Sequence, residues 1–137
     1  MLKKEGNASV SVNWIPLTGL RYWQVTLNDM QLSGESIHKG TQNQAILDSG
    51  TSLITIPSVE FTQFMKIYSK RYFAYGFRCQ LDPKLCFFMG KKCSEVRGKV
   101  DDIRIQLGGA SYDFSVPFEE YTIDFNENDV DYCIIGI

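Results

Sequence analysis

The chain has 137 residues, of which 44% are hydrophobic and 22% are charged. A chain of this length and composition buries roughly two-thirds of its unfolded surface as a single globular domain. The formal charge is -2 and there is no run of like charges, so neither a nucleic acid nor an anionic membrane is indicated as a partner. No stretch reaches the roughly 20 apolar residues of a membrane-spanning helix, and we expect no membrane span.

The first part of the chain predicts a pair of short strands. Residues 22–27 are rich in aromatic and β-branched side chains, and apolar residues resume at 30–32. Asn and Asp at 28–29 favour a turn between them. We therefore predict strand, turn and strand over this region.

The next apolar run leads directly into an ionisable residue. Residues 45–47 are Ala-Ile-Leu and are followed by Asp48, and a second apolar run at 53–56 ends at Pro57. Proline stops a strand because it cannot donate to the hydrogen-bond ladder. Asp48 is therefore predicted to lie in a turn at the end of a strand.

A helix is predicted over residues 58–70, with Ser58 as its N-cap. Its apolar residues recur at i, i+3, i+4 and i+7, which places them on one face of a helix. We expect this face to pack into the core. It consists of Phe61, Phe64, Met65 and Tyr68.

The last part of the chain predicts a β-hairpin. Apolar and polar residues alternate over 103–107 and again over 112–116, and two glycines at 108–109 turn the chain between them. The whole pattern predicts an all-β domain of antiparallel strands, of the sandwich or barrel kind, with one or two short helices.

The sequence around Asp48 is the one place that indicates chemistry. A strand holds the carboxylate rigidly, and Gly50 permits the close approach of other backbone. The hydroxyls of Ser49, Thr51 and Ser52 are placed to donate hydrogen bonds to an ionised carboxylate. An Asx-turn with a purely structural role is the alternative interpretation of Asp-Ser-Gly by itself.

Four cysteines allow three disulfide pairings and indicate an oxidising compartment. Zinc is disfavoured because there is no Cys-x-x-Cys pair and His38 is the one histidine, and we predict neither a metal nor a cofactor. Asn7 begins an N-glycosylation sequon. The cysteines are Cys79, Cys86, Cys93 and Cys133.

Several segments share one resemblance. Asn-Trp-Ile-Pro at 13–16 precedes Tyr-Trp-Gln-Val-Thr-Leu at 22–27, and Ala-Ile-Leu-Asp-Ser-Gly-Thr-Ser follows at 45–52. Downstream, the strand and Gly-Gly turn at 100–109 are followed by Tyr112. In this order and spacing the sequence resembles the C-terminal lobe of pepsin-like aspartic proteases, over about residues 11–137.

The resemblance implies a set of roles for the residues around Asp48. Asp48 matches the second of the two catalytic aspartates, and Ser49 replaces the more usual threonine that braces the two active-site loops. Gly50, Thr51 and Ser52 match positions that contact the substrate backbone. The implied reaction is hydrolysis of a protein or peptide by a water molecule activated between two aspartates.

The chain contains one such aspartate. In the family, the first aspartate belongs to an N-terminal lobe, so we expect residues 1–137 to be a partial C-terminal lobe that lacks this N-terminal lobe and the final strands. The isolated chain is then expected to be inactive, with the N-terminal lobe of the same parent chain as its partner. A signal peptide is expected upstream, and the compartment is expected to be lysosome-like, vacuolar or extracellular.

The resemblance also favours one disulfide pairing. Cys93 and Cys133 bracket the downstream hairpin as the disulfide of the family's C-terminal lobe does, and Cys79 with Cys86 closes an additional small loop. Two alternatives to the two-lobe enzyme stay open. One is a homodimeric, retroviral-type protease in which each copy contributes Asp48, and the other is a non-catalytic binding lobe of the same fold.

Overall fold

The computed structural model describes residues 12–40, 43–109 and 112–137. The helices are α1 (Ser58–Tyr72) and the single-turn α2 (Cys93–Val96), and there are 3₁₀ turns at Phe73–Tyr75 and Phe118–Glu120. The strands are β1 (Gln24–Leu32), β2 (Glu35–Ser36), β3 (Gln44–Ile46), β4 (Phe77–Leu81), β5 (Lys84–Met89), β6 (Ile103–Leu107), β7 (Asp113–Val116), β8 (Thr122–Glu127) and β9 (Val130–Ile135).

The strands form two antiparallel sheets. The first has the order β2-β1-β6-β7, and β3 also pairs with β1. The second has the order β4-β5-β9-β8. The predicted all-β architecture, with antiparallel strands and one or two short helices, is confirmed.

The predicted turn at residues 28–29 is wrong. β1 is one continuous strand that carries a β-bulge, where its register with β6 shifts between Leu27 and Asp29. The extra residue, Asn28, accepts a hydrogen bond from the backbone N–H of Gly109 through its side-chain oxygen, at 2.7 Å. A bulge therefore accommodates the polar pair. The chain turns at Ser33 and Gly34 instead, whose φ angles are 53° and 78°.

Helix α1 is confirmed, with a different N-terminus and a slightly later end. Pro57 occupies the N-cap position and makes no side-chain capping bond, so the prediction that Ser58 is the N-cap is wrong. The Ser58 hydroxyl instead accepts a hydrogen bond from Lys84 Nζ at 2.9 Å. The predicted core face is largely confirmed, because Phe61, Phe64 and Tyr68 are buried while Met65 is partly buried.

The core lies between α1 and the two sheets. The inward side chains of α1 stack on those of the second sheet, where the Tyr68 ring lies 5.0 Å from Phe77 and 6.4 Å from Phe88. The predicted hairpin between residues 103 and 116 is confirmed as β6 and β7. The β4–β5 and β8–β9 hairpins were not identified from the sequence.

Both predicted disulfides are present, the pair that the resemblance implies and the additional small loop. Cys93–Cys133 joins α2 to β9, and Cys79–Cys86 joins directly opposite residues of β4 and β5. In the part of the chain that the structure describes, no helix is long and apolar enough to cross a membrane. The sequon at Asn7 lies outside the described residues.

Candidate active site

Strand β3 delivers Asp48 to the surface. Val25 of β1 pairs with Ala45 of β3, and the backbone N–H of Leu47 donates to the carbonyl of Trp23 at 2.9 Å. These bonds hold the chain up to Leu47, after which residues 49–50 form a turn. Asp48 therefore lies at the end of a strand and in a turn, as predicted, and its side chain is exposed.

The Asp48 carboxylate is held by its own loop. The backbone N–H of Gly50 donates to Oδ1 at 2.8 Å, and the hydroxyl of Thr51 donates to Oδ2 at 2.6 Å. Both bonds lower the pKa of the Asp48 carboxyl because they favour its charged form, and the bond from Thr51 has the larger effect. These bonds therefore favour the ionised form of the carboxyl and hold it in one orientation.

The structure brings together some of the predicted site residues and not others. Gly50 and Thr51 contact Asp48 directly. Among the described residues, neither Ser49 nor Ser52 makes a hydrogen bond to Asp48, and both are exposed. Their hydroxyls are thus open to groups outside the loop.

A second anchor closes the loop on its downstream side. The apolar run at 53–56 is not a strand, and instead the backbone N–H of Ile54 donates to the carbonyl of Gly136 at 2.9 Å. Gly136 in turn donates to the carbonyl of Tyr121 at 2.8 Å. Sequence reasoning gives Tyr121 no role at the site. Ile134-Ile135-Gly136 matches the apolar-apolar-Gly element that the resemblance implies beside the aspartate loop, but its spacing from Cys133 favours an earlier position. The available signal was a glycine placed directly after two apolar residues.

Exposed apolar side chains lie on the segments next to Asp48, and sequence reasoning missed them. Leu47 directly precedes Asp48 and bonds through its backbone to Trp23, and Leu53 follows the loop. Trp14 is 85% exposed and Trp23 is 70% exposed. Exposed apolar side chains that lie next to one another indicate a surface that contacts another molecule, whereas single scattered ones do not. We call Trp23, Leu47 and Leu53 the flanking surface.

The electrostatic surroundings of Asp48 are simple. Within residues 12–40, 43–109 and 112–137, no other carboxyl group contributes to its pKa. The same residues contain no group of His, Cys, Asp and Glu side chains that would hold a metal ion.

The model of the eukaryotic aspartyl protease family matches residues 5–137. The chain belongs to this family. The Asp48 loop lies within the matched residues. The match also confirms the family resemblance that the segments around Asp48 indicate.

Three relatives illustrate the similarity. Cathepsin E-A of Xenopus laevis is 44% identical over 59 residues, which are 43% of this chain and 15% of that protein. Cathepsin E of Oryctolagus cuniculus is 46% identical over 55 residues, 40% of this chain and 14% of that protein. Pepsin A of Sus scrofa is 46% identical over 48 residues, 35% of this chain and 12% of that protein. The aligned part of this aspartyl protease chain thus spans only a small share of each relative.

Proposed function

We propose that this chain provides the C-terminal lobe, and one of the two catalytic aspartates, of an aspartic endopeptidase. The observation that carries the proposal is the position of Asp48. It is a single ionised carboxylate at the end of a strand, held from one side by Gly50 and Thr51 and open on the other. A structural Asx-turn has no need of an exposed apolar surface around it.

The reaction follows from pairing this carboxylate with a second one. Two close carboxylates share a proton, because like charges at short distance do not both ionise. The ionised member accepts a proton from the bound water as the water attacks the scissile carbonyl, and the protonated member donates to the carbonyl oxygen. The lowered pKa of Asp48 favours the ionised, proton-accepting state before a partner is present.

The proposed partner of Asp48 is the N-terminal lobe of the same parent chain. The flanking surface supports this, since an apolar lobe packed on Trp23, Leu47 and Leu53 would bring its own loop next to Asp48. The substrate is a protein or peptide that lies between the lobes and contacts Gly50, Thr51 and Ser52. No cofactor or metal is required for the reaction.

The proposed compartment is lysosome-like, vacuolar or extracellular. Two disulfides support it, since disulfides persist in oxidising compartments and are rare in the cytosol. The carboxylate chemistry also fits an acidic compartment, because the dyad has to retain one proton.

The test uses the full-length product of the source transcript. Cleavage of a denatured protein substrate is measured at acidic pH, with and without pepstatin. We expect Asp48→Asn to lower kcat at least about a thousandfold, because the variant loses the proton acceptor. Asp129→Asn is the matched control. Asp129 lies in an exposed turn at φ 63°, which asparagine tolerates.

The outcomes separate the proposal from its alternatives. Equal cleavage by the Asp48→Asn variant and the control would refute the proposal. Pepstatin-sensitive cleavage by the purified 137-residue chain, together with a dimeric mass, would favour the homodimeric retroviral-type enzyme. Peptide binding that survives Asp48→Ala, with no cleavage by the full-length product, would favour a non-catalytic binding lobe.

A further inference from the structure

Two backbone hydrogen bonds anchor the loop that carries Asp48. The upstream one joins Leu47 to Trp23, and the downstream one joins Ile54 to Gly136, each at 2.9 Å. The upstream anchor belongs to a sheet, since β3 pairs with β1. The downstream anchor lies outside the strands and depends on whatever holds Gly136.

Gly136 is held by Tyr121. Its backbone N–H donates to the Tyr121 carbonyl at 2.8 Å. A Cβ atom at position 136 would lie 3.2 Å from both that carbonyl oxygen and Leu53 Cδ2. The segment after the Asp48 loop, Gly136 and the main chain of Tyr121 are therefore packed as one layer. The amide of Ile54 is thus joined to the carbonyl of Tyr121 through Gly136.

The hydroxyl end of Tyr121 is fixed in the core. It donates to the carbonyl of Asp101 at 3.0 Å, and its oxygen lies 2.8 Å from the hydroxyl of Tyr68 on α1. Since the Tyr121 proton is directed to Asp101, the Tyr68 hydroxyl donates to Tyr121. Burial raises the pKa of both phenols, so both hydroxyls retain their protons and these two bonds persist across physiological pH.

From this geometry we propose that Tyr121 is a positioning residue for Asp48. Its hydroxyl fastens the start of β8 to α1 through Tyr68, and its carbonyl holds the downstream anchor of the Asp48 loop through Gly136. The inference rests on the proposed function only for the catalytic role of Asp48. The anchoring itself is a property of the 137-residue chain.

The test is amide hydrogen exchange on the 137-residue chain, followed by NMR. In the Tyr121→Phe variant we expect the amides of Ile54 and Gly136 to exchange about tenfold faster, because two buried hydrogen bonds are lost. The amide of Ile105, in the central strand β6, is the internal reference and should change less. Tyr68→Phe should have a smaller effect at the same amides, because Tyr121 keeps its bond to Asp101.

A second readout follows Asp48 itself, through the ¹³C signal of its carboxyl group during a pH titration. When the downstream anchor loosens, Gly50 and Thr51 donate to the carboxylate less often, so the Asp48 carboxyl should titrate at a higher pH in Tyr121→Phe. Tyr132→Phe is the matched control, because Tyr132 makes ring contacts but no hydrogen bond through its hydroxyl among the described residues. It should leave both readouts unchanged.

The proposal is overturned if the amides of Ile54 and Ile105 exchange faster by the same factor in both Tyr121→Phe and Tyr68→Phe. That pattern indicates only a loss of global stability. It is also overturned if the Asp48 titration does not move. If Tyr121→Phe does not fold, Tyr68→Phe decides the matter by the same two readouts. Neither readout involves cleavage, so a failure of the proposed protease activity would leave the result on Tyr121 intact.

Discussion

The backbone N–H of Met89 donates to the carbonyl of Gly76 at 3.0 Å, and this bond joins the end of β5 to the turn that follows α1. Gly76 has a φ of 92°, and a Cβ atom there would lie 2.9 Å from the carbonyl oxygen of Met89. The approach is therefore open only to glycine. This close contact fixes the path of the chain from the end of α1 into β4 of the second sheet.

We expect Gly76→Ala to lower the free energy of unfolding by about 2–4 kcal/mol, because it adds a backbone clash to the cost of the left-handed conformation. Gly98→Ala is the control, since Gly98 has a φ of 79° with no atom within 4 Å of the added Cβ. It should cost only about 1–2 kcal/mol. Urea unfolding of both variants measures the difference, and equal losses would contradict the clash.

The two disulfides should contribute unequally to stability. Cys93–Cys133 closes a separation of 40 residues, whereas Cys79–Cys86 closes one of 7. In the chain-entropy account, replacing both cysteines by alanine should cost about 4 kcal/mol for the long loop and about 2.5 kcal/mol for the short one. Guanidinium unfolding of the two double variants tests this order, and a larger loss from the short loop would refute it.

The free energy of unfolding should depend strongly on Phe64, which packs in the core between α1 and the sheets. This side chain is 0% exposed and its ring lies 4.4 Å from that of Tyr68. Phe64→Ala should lower the free energy of unfolding by about 3–5 kcal/mol through the cavity that it leaves. Phe125→Ala, at a position that is 49% exposed, should cost less than about 1.5 kcal/mol. Similar costs for both variants would show that α1 does not pack as described.

Because of the Asp29 carboxylate, the free energy of unfolding should vary with pH in the acidic range. Partial burial raises its pKa, but hydrogen bonds from Ser36, Gln31 and the backbone of Met30, with the charge of His38, lower it further than burial raises it. A lowered pKa in the folded state stabilises the fold above the ordinary value of 3.8. This contribution is lost as the pH falls through the folded value.

We therefore expect Asp29→Asn to lower the free energy of unfolding by about 1 kcal/mol at pH 6, a modest value because the carboxylate is partly exposed. The difference from the unsubstituted chain should shrink towards pH 2. Chemical unfolding at both pH values measures it, with Asp129→Asn as the control. A difference that grows on acidification would contradict the lowered pKa.

The sequence by itself determined those features that arise from local pattern. The apolar positions of α1 recur every three to four residues, and the strands β6 and β7 alternate around two glycines, so both elements were predictable from periodicity. The segments at 13–16, 22–27, 45–52 and 100–112 together also indicated the family, which the match over residues 5–137 confirms.

Only the tertiary structure decided the features that depend on contacts between distant residues. The bulge in β1 depends on its register with β6, and the polar pair at 28–29 by itself favours a turn. The two hydrogen bonds that join Ile54 to Gly136 and Gly136 to Tyr121 connect residues far apart in the chain, so no local pattern predicts them. The exposure of Trp14 and Trp23 likewise contradicts the usual burial of tryptophan, because burial is decided by which surfaces meet and not by side-chain type.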